Sequence, residues 1–262
     1  MWRIEWGSNL RKIQNSIQFN IHLTDNHEEL EYTAVHVCSK NELFNLVNEF
    51  KPHLLIIDSH GNFDTQEEGS YIWIGNDKLF GSDIIKNLPQ IPLVIMSCCW
   101  GSPIYGNSNT IAQAFFENGS FSVLSTFLPI SIDRGFLLYK RILHNLSYAL
   151  NSSVHKNWAS FISHNLRTSY FDDLLSEIFH KFGMDVLNED GYLANRSHWQ
   201  YLCLSKENRR RAYLEVNSFV LQCINQDIKQ DVEIFLRLEQ CLPEFLIYTH
   251  LGRGDLIRFH IN

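Results

Sequence analysis

A chain of 262 residues, 45% apolar and 19% charged, can bury a large core and reads as a globular protein of one domain, or of one domain with an extension. Its formal charge of −7 argues against direct nucleic-acid contact, and no run approaches the 18 apolar residues of a membrane span. No apolar h-region marks a secretory signal, and six scattered cysteines without a C-x-x-C pair fit reduced thiols in a cytoplasmic protein better than a disulfide framework.

Residues 1–31 are polar, with possible edge strands where Trp2, Ile4 and Trp6 alternate and around residues 19–23. Residues 33–38 read as a strand. Ser39 then fits as N-cap of a helix carrying Leu43, Leu46, Val47 and Phe50, which Pro52 closes. Residues 53–61 hold an apolar run ending in Asp58-Ser59-His60-Gly61. A polar, acidic loop with Asp64, Glu67 and Glu68 follows, then two short strands around Gly75-Asn76-Asp77, a hairpin signal. A short helix begins at Ser82 and Asp83 and closes at Pro89. The second apolar run, residues 92–101, ends in Ser97-Cys98-Cys99-Trp100-Gly101. Thr110 opens another short helix stopped by Gly119. An apolar strand spans residues 121–130, and helices dominate to about Cys241, broken around residues 183–197. The tail, residues 245–261, alternates around Gly252 and Gly254 like a hairpin.

The two apolar runs have the continuous pattern of strands buried on both faces of a parallel sheet. In such sheets ligands bind beyond the carboxyl ends of the strands, and here those ends carry His60 and Cys99. A thiol at a strand-end turn beside an imidazole proposes a cysteine nucleophile with a histidine base. Gly101 would let a peptide approach the thiol closely. Cys98 should point the other way and be buried, because strand side chains alternate. The competing readings are a packed, unreactive Cys99 and a hydrogen-bonded, partly buried His60. A zinc site from His60, Cys98 and Cys99 is disfavoured by that same alternation. The basic run Lys206, Arg209, Arg210 and Arg211 reads as a solvated helix face.

His60-Gly61 and Ser97-Cys98-Cys99-Trp100-Gly101 resemble the motifs of caspase-like cysteine peptidases, and of the CHAT family in particular. Ser70, Lys78-Leu79, Ser82-Asp83-Ile84, Ala112-Gln113-Ala114-Phe115 and Asn118-Gly119-Ser120 follow the family order. The resemblance covers residues 33–150. His60 lies nearer to Cys99 than the roughly 50 residues of caspases. Cys98 replaces the usual Ala, and Phe127-Leu128-Pro129-Ile130 stands where a Trp-containing turn is expected.

The resemblance implies an α/β, caspase-like fold, a mostly parallel sheet with helices on both faces. Residues 1–150 would form the peptidase core and residues 151–262 a mostly helical C-terminal extension packed on it. It implies peptide-bond hydrolysis by a Cys99–His60 dyad, with the backbone N–H groups of Gly61 and Cys99 as oxyanion hole. Asp133 would supply an acidic substrate pocket selecting Arg or Lys, against its alternative role as N-cap of a helix starting at Arg134. No metal or organic cofactor is required by that chemistry. The expected partners are a protein substrate and a regulatory or sensor protein in bacterial defence or cell-death signalling, with no membrane. A catalytically silent caspase-like scaffold and a thioester acyltransferase using the same dyad are the alternatives.

Overall fold

The first described helix, α1 (Lys40–Phe50), starts where the Ser39 hydroxyl accepts from the Glu42 N–H and ends at Lys51, left-handed at φ 46°, just ahead of Pro52. The computed structural model describes residues 33–64, 69–103, 109–150, 152, 154–205, 207–238 and 244–259, so the expected N-terminal edge strands, Glu67 and Glu68 lie outside the described residues. The described residues divide into two units, those up to residue 159 together with those from residue 247 on, and those within 160–246. No described helix is long and apolar enough to cross a membrane.

Residues 33–38 do not form the expected strand. The Cys38 N–H, which a ladder would use, donates to the Glu42 carboxylate at 2.7 Å, and only Val37 of the segment is buried. The first strand among the described residues is therefore β1 (Leu54–Asp58), buried throughout. β2 (Gly61–Asp64), β3 (Gly69–Ile74) and β4 (Asp77–Phe80) form a separate antiparallel sheet. The two residues between β3 and β4 are Gly75 and Asn76, and Gly75 sits at φ 59°, the positive value a tight hairpin needs at its first central position. α2 (Gly81–Asn87) follows, with the Asp83 carboxylate accepting from the Phe80 N–H and from Lys40. β5 (Leu93–Ser97), α3 (Ile111–Glu117, capped by Thr110), β6 (Ser122–Thr126) and α4 (Ile132–Leu150) complete the run.

β1, β5 and β6 pair in parallel in the order β1-β5-β6. One face, with Leu55, Ile57, Val94, Met96 and Val123, packs with Leu43 and Val47 of α1, Ile84 of α2 and Phe115 of α3. Alternate residues point the opposite way, and there α4 lies on β5 and β1. The protein is thus an α/β fold with a mostly parallel sheet.

Among the described residues the tail forms no hairpin of its own. β7 (Tyr248–Gly252) joins the first unit as an antiparallel strand beside β6, with Tyr248 opposite Thr126 and Ser122 opposite Gly252. A lone edge strand with partly exposed residues gains its backbone bonds from the open side of β6. The chain leaves the first unit after residue 159 and returns to it at residue 247. The second unit is helical: most of α5 (Trp158–Phe182), then α6 (Glu189–Leu204), α7 (Arg209–Gln222) and α8 (Lys229–Leu238). Its core gathers Phe171, Leu175, Ile178, Trp199, Val216 and Val220, with Phe171 and Trp199 stacked at 6.3 Å.

Candidate active site

Parallel register brings the two motifs together. Asp58 of β1 lies opposite Ser97 of β5, and the Ser59 N–H continues the ladder to the Ser97 carbonyl at 3.3 Å. His60 and Cys99 each follow two residues later, just beyond the paired strand ends. Gly61 packs so tightly on the Cys99 backbone that a Cβ there would overlap the Cys99 carbonyl oxygen. Only glycine fits, and the two segments expected to supply oxyanion N–H groups adjoin. His60 is exposed and Cys99 half-buried, whereas Cys98 is only 1% exposed and sits among the core residues of the opposite face, as strand alternation requires.

The main chain of His60 is held from the hairpin sheet. Its carbonyl accepts from the Trp73 N–H at 2.8 Å, and the Ser59 hydroxyl donates to the Trp73 carbonyl. The cysteine turn is held from β6. Thr126 donates its hydroxyl to the Cys98 carbonyl and accepts the Ser102 N–H on its own carbonyl at 2.8 Å. Trp100 adopts φ 57°, a strained conformation for a bulky residue and one that concentrates at functional sites. Gly101 is required by the packing of the turn itself. It is buried, and a Cβ there would strike Ser125 Oγ and lie 3.3 Å from Cys98 Sγ, so packing of the turn dictates its size.

The Cys99 thiol donates to the Ile130 carbonyl at 3.8 Å, and no hydrogen bond joins it to His60 among the described residues. Asp58, two residues before His60, belongs to a buried polar pair. Tyr139 of α4 donates its hydroxyl to Asp58 at 2.8 Å, the two residues 1% and 3% exposed. Burial raises the Asp58 carboxyl above its ordinary range, opposed by the Tyr139 hydrogen bond, the charge of His60 and the Ser97 hydroxyl. Burial, with the charge of Asp58 and its hydrogen bond, pushes Tyr139 well up, so it stays a phenol donor. Burial, with Cys99 and Asp58 adding repulsion, pushes the Cys98 thiol up.

The CHAT domain family model matches residues 18–155, more than half of the chain. The protein belongs to the CHAT domain family. No curated protein matches it. The CHAT match contains β1, β5 and both His60 and Cys99, and the family is related to caspase-like cysteine peptidases. β7 and the helical unit lie beyond the matched residues.

Within this CHAT domain Asp133 is not the residue that opens α4. The helix begins at Ile132, and it is Ser131 whose hydroxyl accepts from the Arg134 N–H at 3.3 Å and whose carbonyl accepts from Gly135. The hydroxyl two positions earlier takes the capping role, and Asp133 becomes a first-turn residue whose side chain lies outside the described ones. Asp64 of the acidic loop is engaged by Lys78 at 2.9 Å. Sequence reasoning missed Asp58, Tyr139, Thr126 and Trp73 as supports of the site. A carboxylate ending an otherwise apolar buried strand was the available signal for Asp58, since such a group needs a buried partner.

Proposed function

We propose that this CHAT protein is a cysteine endopeptidase with a caspase-like arrangement, Cys99 acting as nucleophile and His60 as general base and acid. The reading rests on one observation: parallel register sets His60 and Cys99 at matching strand ends, with Gly61 pressed against the Cys99 backbone. Cys99 Sγ attacks the scissile carbonyl while His60 takes the thiol proton. The Gly61 and Cys99 N–H groups would stabilise the oxyanion by ~3 kcal/mol each. His60 then gives its proton to the leaving nitrogen, the C–N bond breaks, and a thioester remains on Cys99. Water, deprotonated by His60, hydrolyses the thioester and frees the acid and the thiol. Asp133 is the proposed acidic pocket residue.

A regulatory or sensor protein partner controls the enzyme in this reading, in defence or cell-death signalling and in the cytoplasm. The resting contact of the Cys99 thiol with Ile130 supports such restraint, because catalytic hydrogen bonds often tighten only once substrate is bound. The test is labelling by a peptidyl chloromethyl ketone library, comparing wild type with Cys98→Ala, Cys99→Ala and His60→Ala. Labelling lost in Cys99→Ala and kept in Cys98→Ala is expected. Absence of labelling, with and without candidate partners, would transfer the assignment to a silent scaffold. A transferred acyl group in place of a cleaved peptide would make it an acyltransferase.

A further inference from the structure

A row of side chains continues from His60 across the outer face of the hairpin sheet. Gly61 pairs with Ile72, so the preceding residue, His60, lies opposite Trp73, and Trp73 pairs in turn with Lys78. Directly opposed residues point to the same side of a sheet. The Trp73 N–H bond to the His60 carbonyl anchors that alignment. The alternate residues Ile72, Ile74 and Leu79 are buried in the core, which leaves His60, Trp73 and Lys78 on the outer face.

Trp73 is half-buried there, and its surroundings hold it still. Tyr71 meets it edge-on at 5.5 Å between centroids. The Lys78 ammonium lies 4.4 Å from the Tyr71 ring centroid and 5.8 Å from that of Trp73, tethered by Asp64 at 2.9 Å. A rigid indole of this kind offers apolar contact at little entropic cost.

We propose that Trp73 is a specificity residue, the apolar wall that receives the side chain of the substrate residue just after the scissile bond. The inference rests on the peptidase reading. His60 must reach the leaving nitrogen, so the residue carrying that nitrogen passes His60 and meets its cross-strand neighbour. The fitting class is a peptide with a large apolar or aromatic residue at that position.

The test digests a proteome-derived peptide library with the full chain, reads both sides of every cut by mass spectrometry, and measures kcat/KM on peptides differing only after the cut. Wild type should favour Phe, Tyr or Leu over Gly or Asp by about tenfold. Trp73→Ala should reduce this to about twofold or less, Trp73→Phe should retain it, and the residue preferred before the cut should be unchanged. The hydrogen bonds that hold Ser59 and His60 use the Trp73 main chain and survive substitution. If Trp73→Ala loses its cooperative melt, Trp73→Leu takes its place in the comparison. Cys99-dependent cleavage with no preference after the cut, or with a preference that Trp73→Ala or its replacement keeps, overturns the proposal alone. Wild type that cuts nothing with and without candidate partners, or cuts as Cys99→Ala does, overturns the peptidase reading and this inference with it.

Discussion

The Thr126 hydroxyl donates to the Cys98 carbonyl across 2.5 Å, with both groups buried, and this bond ties the end of β6 to the turn that carries Cys99. Thr126 is also the residue opposite Tyr248, where β7 begins. Thr126→Val keeps the shape and removes the donor, leaving a buried carbonyl unsatisfied at a cost of about 1–3 kcal/mol. Chemical denaturation should report that loss, and Thr126→Ser should recover most of it. Alkylation of Cys99 should also change rate in Thr126→Val, because its turn loses an anchor.

The cysteines should separate by reactivity. Cys38 is exposed and Cys99 half-buried, whereas Cys98, Cys203 and Cys223 are buried. Burial raises all three, Cys203 to about 11 and Cys223 to about 12, so near neutral pH they hold almost no thiolate, the reactive form. Brief iodoacetamide treatment followed by peptide mapping should mark Cys38 and Cys99 and spare Cys98, Cys203 and Cys223 until the protein is unfolded. Modification of Cys98 in the native protein would contradict its assigned face.

Asp58 makes stability depend on pH. Its folded value is raised above the unfolded one, so its contribution is fully present below the ordinary carboxylate value of about 3.9 and is lost as pH rises through the raised folded value. Asp58→Asn removes this ionisation while leaving an acceptor for Tyr139. Its Tm relative to wild type should therefore climb as pH rises across that window. Tyr139→Phe deletes a bond that lowers the Asp58 value, so the window should move to higher pH, with an added loss of about 1–3 kcal/mol.

His250 should respond in the opposite sense. Ser122 accepts from the Trp158 indole N–H at 2.8 Å and lies 2.7 Å from His250 Nε2. An indole nitrogen only donates, so the Ser122 proton is free for a neutral His250. Burial lowers His250, against the raising effect of Asp255. The stability that neutral His250 gives is present above its unfolded value of about 6.5 and is lost as pH falls through the lower folded value. Melts recorded through that range should show wild type losing Tm on acidification and His250→Gln losing less, with hydrogen exchange of β7 quickening first in wild type.

The amino-acid sequence by itself determined the elements whose causes are local. The two apolar runs became β1 and β5, Ser39 and Thr110 capped their helices, Gly75 turned the hairpin, and Cys98 and Cys99 parted to opposite sides. Each follows from side-chain periodicity or from a hydrogen bond a few residues away. Tertiary structure decided what depends on distant partners. The alternation of residues 248–252 promised a strand without saying that β6 would be its neighbour. Residues 33–38 had strand-like composition but lost a ladder donor to Glu42. Asp58 became a buried support only because α4 delivered Tyr139 to it, and Trp73 came to stand beside His60 only through the register of β2 on β3. Pairing and burial of this kind arise from parts of the chain far apart in sequence, so no local pattern records them.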